Sequence, residues 1–222
     1  MSLTAENARI ARKVLRLRGG ARIFLLNGRG EIATCELARA GTEPATVTVL
    51  DRRKVSPPLP AITLLQGLPK GDKGAFIVQK AIELGVARIV FFEGEHAVAR
   101  KAGKEKTGRW ERVAVEALRQ SGNLHLPEIS GPLPVADAVR STGPGPRVFF
   151  DETETKRRLR DIVPPVPTSS ITVAVGPEGG WSEEDRRILR SAGFESAWLA
   201  PFILRTETAA VSALASVHAL LG

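Results

Sequence analysis

From Ile62 onward, short apolar runs alternate with amphipathic stretches, and this alternation constrains the fold more than any other feature of the chain. Ile62–Leu65 has the pattern of a buried strand, and the loop Gly67-Leu68-Pro69-Lys70-Gly71-Asp72-Lys73-Gly74 follows it. Ile77, Ala81 and Leu84 then mark the apolar face of a helix over Ala75–Leu84, with Gly85 as its stop. Val86–Phe92 is the next strand. A strand–helix–strand succession of this kind predicts a parallel sheet with right-handed crossovers. Further strands read at Arg147–Phe150, Ile171–Val175 and Ala197–Leu199, and further helices at Arg109–Ser121, Ser182–Ser191 and Thr208–Leu221. The fold class predicted is α/β.

Upstream of Pro57 the pattern differs. Ile10, Val14 and Leu17 recur at helical spacing among Arg9, Arg12, Lys13 and Arg16. Arg22–Leu26, Glu31–Leu37 and Thr46–Leu50 are strand-like, and the turn-rich Asn27-Gly28-Arg29-Gly30 separates the first two. These elements predict a small β-domain, a partial barrel. Pro57, Pro58 and Pro60 stiffen the joint that follows, so the domains expected are 1–57 and 58–222. Gly143-Pro144-Gly145-Pro146 and Pro164–Pro167 read as loops within the second domain, because strands of one type flank them.

Composition narrows the function. With 222 residues, 43% of them hydrophobic, the chain can bury one sizeable core and support a smaller appendage. Thirty-two Lys+Arg against 24 Asp+Glu leave a net charge of +8, which favours a polyanionic partner. Cys35 is the single cysteine, so no intramolecular disulfide forms, and its alternating surroundings make it a core residue rather than a catalytic thiol. His96, His125 and His218 lie far apart, without metal-ligand spacing, and no metal is expected. The longest apolar tract, Ala209–Leu221, is shorter than the roughly 20 residues that span a bilayer. No apolar segment precedes Arg9, Arg12 and Lys13, and a cytoplasmic protein without membrane attachment is expected.

Two loops carry the candidate chemistry. Strand Ile171–Val175 runs into Gly176-Pro177-Glu178-Gly179-Gly180, and a helix opens at Ser182 with Asp185 as its capping partner. Glycines at a strand-to-helix turn let a ligand approach the backbone closely. The Gly-Lys-Ser/Thr ending of a phosphate loop is missing, and Glu178 would repel an anion. A carboxylate there suits ribose hydroxyls or a cationic sulfonium, so the loop favours a nucleoside without phosphates. The second loop, Ala200–Ala209, leads into a final helix apolar on nearly all sides, which must be buried in a core or against another subunit. Its start presents Arg205, Thr206 and Glu207 where open α/β sheets bind ligands, and an ordinary Arg205–Glu207 ion pair is the plainer reading.

Gly176–Gly180 together with Leu204-Arg205-Thr206-Glu207-Thr208-Ala209 resembles the bacterial methyltransferases that modify N3 of one uridine in small-subunit (16S) ribosomal RNA, members of the trefoil-knotted SPOUT class. Lys70–Lys73, Gln79–Gly85, Gln120-Ser121-Gly122, Pro127-Glu128-Ile129 and Val14–Leu17 extend the resemblance over nearly the whole chain. The resemblance implies a PUA-like β-barrel, shortened at its N-terminus, followed by a knotted α/β methyltransferase domain that acts as a homodimer. It implies S-adenosyl-L-methionine as cofactor, held by Phe150, Gly176, Glu178, Gly179, Gly180, Leu199, Ala200, Ile203, Leu204 and Thr206. Arg205 and Glu207 would be catalytic: Arg205 steadies charge on the base, and Glu207 orients Arg205 or accepts a proton. Arg9, Arg12, Lys13, Arg16, Lys70, Lys73 and Gln120 would touch RNA, as would a basic cluster at Lys101, Lys104, Lys106 and Arg109. Ala200, Phe202 and Asn123 depart from the family, which carries Gly, a basic residue and Arg there. These departures leave two alternatives: a knotted methyltransferase for another RNA site, or an RNA-binding relative without catalysis.

Overall fold

Pro57 and Pro58 mark a joint between two compact units, Met1–Pro57 and Pro58–Gly222. The structure is a computed structural model, and it describes residues 1–38, 45–97, 104–164, 166 and 168–221, with only the backbone at 104–106. Lys101, Pro165 and Pro167 lie outside the described residues, as do the side chains of Lys104 and Lys106.

In the first unit, α1 (Ala5–Arg9) opens at Thr4, whose hydroxyl accepts the Asn7 N–H at 3.2 Å. The helical ladder then widens into a π-turn over Ile10–Val14. That wider turn shifts the phase of the side chains. Ala11 becomes the buried residue, whereas Val14, expected on the apolar face, is 58% exposed. Strands β1 (Arg22–Leu26), β2 (Glu31–Leu37) and β3 (Val47–Lys54) form an antiparallel sheet in that order. The β1–β2 turn is built by Asn27, whose Oδ1 accepts the N–H groups of Arg29 and Glu31 at 2.8 and 3.1 Å. Cys35 is free and buried in the small core, with Leu3, Leu37, Ala45 and Val47.

The second unit runs β4 (Ala61–Gly67), α2 (Lys73–Glu83), β5 (Arg88–Glu93), α3 (Lys104–Ser121), β6 (Glu128–Pro134) and α4 (Val135–Arg140). It continues with β7 (Arg147–Phe150), α5 (Leu159–Ile162), β8 (Ser170–Val175), α6 (Glu183–Ser191), β9 (Glu195–Ala197) and α7 (Thr206–Leu221). The sheet order is β6-β5-β4-β8-β7-β9, and every neighbouring pair is parallel. Strand side chains alternate between faces. Leu65, Val90, Phe92, Phe149 and Ala174 pack with Trp181, α4 and α6 on one face. On the other face Phe91 stacks on Trp110 of α3 at 4.0 Å, and α7 contacts α2, β8 and β4. Because the strands are parallel, the chain segments leaving β4, β7, β8 and β9 emerge at one edge, where such sheets bind ligands.

Four elements depart from the pattern reading. Strand β6, Glu128-Ile-Ser-Gly-Pro-Leu-Pro134, has no strand-like sequence pattern, since proline and glycine interrupt it. It is tolerated as an edge strand, where a missing N–H does not break an internal ladder. The short α4 and α5 hold too few residues to show a helical period. The final helix is not covered all round: Ala210, Ala213, Leu214 and Val217 are buried, whereas Thr208, Ala215 and Ala219 are exposed in the single chain. Among the described residues no helix is long and apolar enough to cross a membrane.

Candidate active site

A cleft of about 570 Å³ opens at the edge where β4, β7, β8 and β9 end, a volume suited to a small-molecule ligand. Its walls are Lys73, the segment after β7 from Phe150 to Thr155, the run Val175–Trp181, and Trp198–Thr206 with Ala209. Phe150, Gly176, Glu178, Gly179, Gly180, Leu199, Ala200, Ile203, Leu204 and Thr206 therefore all face one space, with Arg205 beside them. Glu207 is set back from that wall.

The glycine loop is held from behind. A Cβ on Gly67 would collide with the backbone of Pro177, so the end of β4 and the loop lie in direct backbone contact. Glu178 Oε1 accepts the Lys70 N–H at 3.0 Å and lies 3.2 Å from Lys73 Nζ. Burial opposes ionisation of Glu178, but the Lys70 N–H and Lys73 outweigh it and hold the carboxyl below its ordinary pKa. Lys73, hydrogen-bonded to Glu178 and beside Glu207, is raised above its usual value and stays protonated. Gly180 has φ +74°, and a side chain there would strike the Glu152 carboxylate. Trp181 closes the loop: it stacks on Phe92 at 5.4 Å and donates Nε1–H to Phe150 O at 2.8 Å. Ser182 and Asp185 form the expected reciprocal cap, with Ser182 Oγ accepting the Asp185 N–H at 3.0 Å.

The segment after β7 is fixed by Arg186 of α6. Its guanidinium grips Asp151 with two bonds of 2.8 and 3.0 Å, reaches Glu152 at 3.2 Å, and donates to Trp181 O at 2.8 Å. The Asp151 side chain is 1% exposed and that of Arg186 is 8% exposed. Burial pushes the Asp151 carboxyl up, but Arg186 and Thr153 more than offset this, and its pKa falls below the ordinary value. Glu154 Oε1 accepts the N–H groups of Thr155, Lys156 and Arg157, and Oε2 accepts Ser196 Oγ–H at 3.1 Å. The Arg158 guanidinium lies 4.7 Å from the centre of the Trp198 ring.

The second loop is joined to the first by the start of α7. Thr206 Oγ1 donates to Gly176 O at 2.7 Å and accepts from Gln66 Nε2 at 2.8 Å. Glu207 Oε2 lies 3.3 Å from Lys73 Nζ. The Arg205–Glu207 ion pair, the alternative to a functional role for these residues, does not form. Residues two apart at a helix start point in different directions, and Lys73 reaches Glu207 first. Arg205 is exposed at the cleft and has no side-chain hydrogen bond or ion pair among the described residues. Phe202 and Ile203 are 81% and 88% exposed.

The other expected contact residues are spread out. Arg9, Arg12, Lys13 and Arg16 sit on α1 and the turns after it in the first unit. Lys70 is exposed beside the cleft, and Lys73 lies inside the carboxylate cluster. Gln120 is exposed on α3, with Nε2 3.3 Å from Glu116. Asn123 serves a turn: Nδ2 donates to Ile82 O at 3.0 Å and Oδ1 accepts the His125 N–H at 3.0 Å. Among the described residues no cluster of His, Cys, Asp and Glu could hold a metal. Gln66, Trp181, Arg186 and Trp198 were not singled out by the sequence. Their positions beside strand ends are the available signal.

The chain matches the RNA methyltransferase domain over residues 56–218 and the RNA methyltransferase PUA domain over residues 3–50. It is 31% identical over 217 residues to ribosomal RNA small subunit methyltransferase E of Mycobacterium tuberculosis (strain CDC 1551 / Oshkosh), covering 95% of this chain and 82% of that one. The Bacillus subtilis (strain 168) protein of the same name is 29% identical over 226 residues, covering 97% and 88%. The crystal structure of ribosomal RNA small subunit methyltransferase E from Neisseria gonorrhoeae bound to S-adenosyl methionine superposes with a TM-score of 0.89 at 30% identity, over 100% of this chain and 92% of that one. Methyltransferase Lpg2936 from Legionella pneumophila, in complex with bound SAM, gives 0.87 at 30% identity, over 99% and 91%. With its PUA unit and its parallel-sheet unit of the knotted SPOUT class, the chain belongs to the RNA methyltransferase family of the small subunit methyltransferase E type.

Proposed function

We propose that this methyltransferase uses S-adenosyl-L-methionine to methylate N3 of a specific uridine in 16S ribosomal RNA, in the cytoplasm, during maturation of the small ribosomal subunit. The observation that carries the reading is the joining of the two loops into one cleft, with the exposed Arg205 guanidinium, unpaired among the described residues, at its wall. The cleft fits the cofactor on three counts. Its volume suits a nucleoside joined to an amino acid. Gly176, Gly179 and Gly180 line it with backbone, the places their Cβ atoms would take being filled by Trp181, His96 and Glu152. Glu152, Glu154 and Glu178 line it, which favours a cation and hydroxyl groups over phosphates. Phe150, the Gly176–Gly180 run and Leu199–Thr206 would hold the cofactor.

When bound, S-adenosylmethionine supplies an electrophilic methyl group on a positively charged sulfur. Uridine N3 must lose its imide proton to become a nucleophile, so the chain must position the base and stabilise negative charge on it. Arg205, with no side-chain partner among the described residues, would face the developing negative charge on the pyrimidine oxygens. Lys73 stays protonated and is no base. Glu207, beside Lys73, is the acceptor for the imide proton, directly or through water. Arg9, Arg12, Lys13, Arg16, Lys70 and Gln120 would serve the RNA. Lys73, held between Glu178 and Glu207, is already paired within the protein and is not free for an RNA phosphate.

A homodimer fits the same structure. Thr208, Ala215 and Ala219 of α7 are exposed, as are Phe202 and Ile203 before it, and a second copy would cover such apolar groups. A second reading, methylation of a different RNA site, draws support from Phe202, which places an exposed aromatic ring where the family carries a basic residue. Incubating the protein with labelled S-adenosylmethionine and unmodified small-subunit RNA, then mapping the label, tests both. Label on one uridine N3 of 16S RNA supports the first reading. Label elsewhere supports the second, and cofactor binding without transfer contradicts both.

A further inference from the structure

Gln66 is the last-but-one residue of β4, and its side chain is fully buried. It pairs with Phe91 of β5 and Val175 of β8, so it occupies the middle of the sheet directly beneath the cleft. An amide at such a place is costly to bury and must be hydrogen-bonded to be tolerated. Gln66 Nε2 donates to Gly67 O at 2.9 Å and to Thr206 Oγ1 at 2.8 Å. The Thr206 hydroxyl, having accepted that bond, donates onward to Gly176 O at 2.7 Å. The order of donors is therefore fixed: amide N–H to hydroxyl, hydroxyl to carbonyl. Turning the Gln66 amide over would set its oxygen against Gly67 O and against a hydroxyl already committed to Gly176.

We infer that Gln66 is a positioning residue for the cofactor site, setting the separation of the two cofactor loops through Thr206. Gly176 begins the first loop and Thr206 ends the second, and both line the cleft. Gly67, the next residue, braces the first loop from its other side through backbone contact with Pro177. Two consecutive residues of one central strand thus hold both loops. The second observation is that Gln66 Oε1 is buried and has no hydrogen-bond partner among the described residues. An apolar residue of similar size would avoid that unbonded acceptor, so stability alone does not account for the amide. What the amide adds is the directional link to Thr206.

This inference rests on the cleft being the S-adenosylmethionine site, and calorimetric titration of the whole chain with S-adenosylmethionine tests it. Gln66→Leu and Thr206→Val should each weaken binding about tenfold, the scale of a lost buried hydrogen bond. The double variant should be no weaker than either single one, because both substitutions cut the same chain of bonds. Thr206→Ser, which keeps the hydroxyl, should bind close to wild type. The cofactor-free melting temperature of Gln66→Leu should stay near wild type, since the substitution also removes the unbonded oxygen. Single variants that bind like wild type, losses that multiply in the double variant, or a Thr206→Ser as weak as Thr206→Val would each overturn the inference. A wild-type chain that binds no S-adenosylmethionine would instead overturn the cofactor reading, and the inference with it.

Discussion

Glu207 and Lys73 face each other at 3.3 Å, and this pairing leaves Arg205 beside the cleft without a side-chain partner among the described residues. Lys73 also lies 3.2 Å from Glu178, so one ammonium group sits between the glycine loop and the start of α7. The carboxylates neutralise Lys73, and the charge that remains available to a substrate is that of Arg205. This division of labour frames the first prediction.

Arg205→Ala should bind S-adenosylmethionine as wild type does and lose about 10²–10³ in methyl-transfer rate, the usual effect of deleting a donor aimed at developing charge. Single-turnover kinetics at saturating cofactor, paired with calorimetry, measures both. Full-rate transfer would remove Arg205 from the mechanism.

Arg186→Met should destabilise the protein by about 3–5 kcal/mol, because it strands the buried Asp151 carboxylate without its counter-charge. Urea denaturation at neutral pH measures the difference. The pH dependence has a definite sign. Asp151 has a depressed folded-state pKa, so its contribution is present above the unfolded value and is lost as pH falls through the folded value. Wild type should therefore lose stability below about pH 4, whereas in Asp151→Asn that acid-dependent component should shrink.

Gly180→Ala should lower stability by about 1–2 kcal/mol for the left-handed backbone alone. It should also displace Glu152, whose carboxylate occupies the space a Cβ needs. Cofactor affinity should fall in the same variant. Equal affinity and stability would show that the segment after β7 yields without consequence for the site.

RNA affinity should fall steeply with salt. Replacing Arg9, Arg12, Lys13 and Arg16 by Gln should reduce the slope of log K against log salt by about one for each phosphate that is no longer neutralised. A filter-binding salt titration on wild type and the quadruple variant reads this directly. An unchanged slope would place the RNA elsewhere.

The sequence revealed most of the parallel-sheet domain, because buried parallel strands such as Ile171–Val175 are continuous apolar runs that end abruptly at glycine. It revealed the lining of the cleft for a related reason: the residues just past the strand ends are the residues that converge. Strand β6 was hidden by Gly131, Pro132 and Pro134, which only its edge position tolerates. Val14 leaves the apolar face because a π-turn has no sequence period of its own. The partners of Glu207 and Asp151 were invisible for a different reason. Lys73 and Arg186 come from distant segments, more than 30 residues away in each case, and single-sequence spacing carries no information about such pairs.

Methylation of uridine N3 by this chain is read by mass spectrometry of 16S ribosomal RNA from a strain lacking this gene, compared with the parent and with strains expressing the wild-type chain or Arg205→Ala. One N3-methyluridine should disappear on deletion, return with the wild-type chain, and stay absent or strongly reduced with Arg205→Ala. An unchanged set of modified uridines in the deletion strain would contradict it.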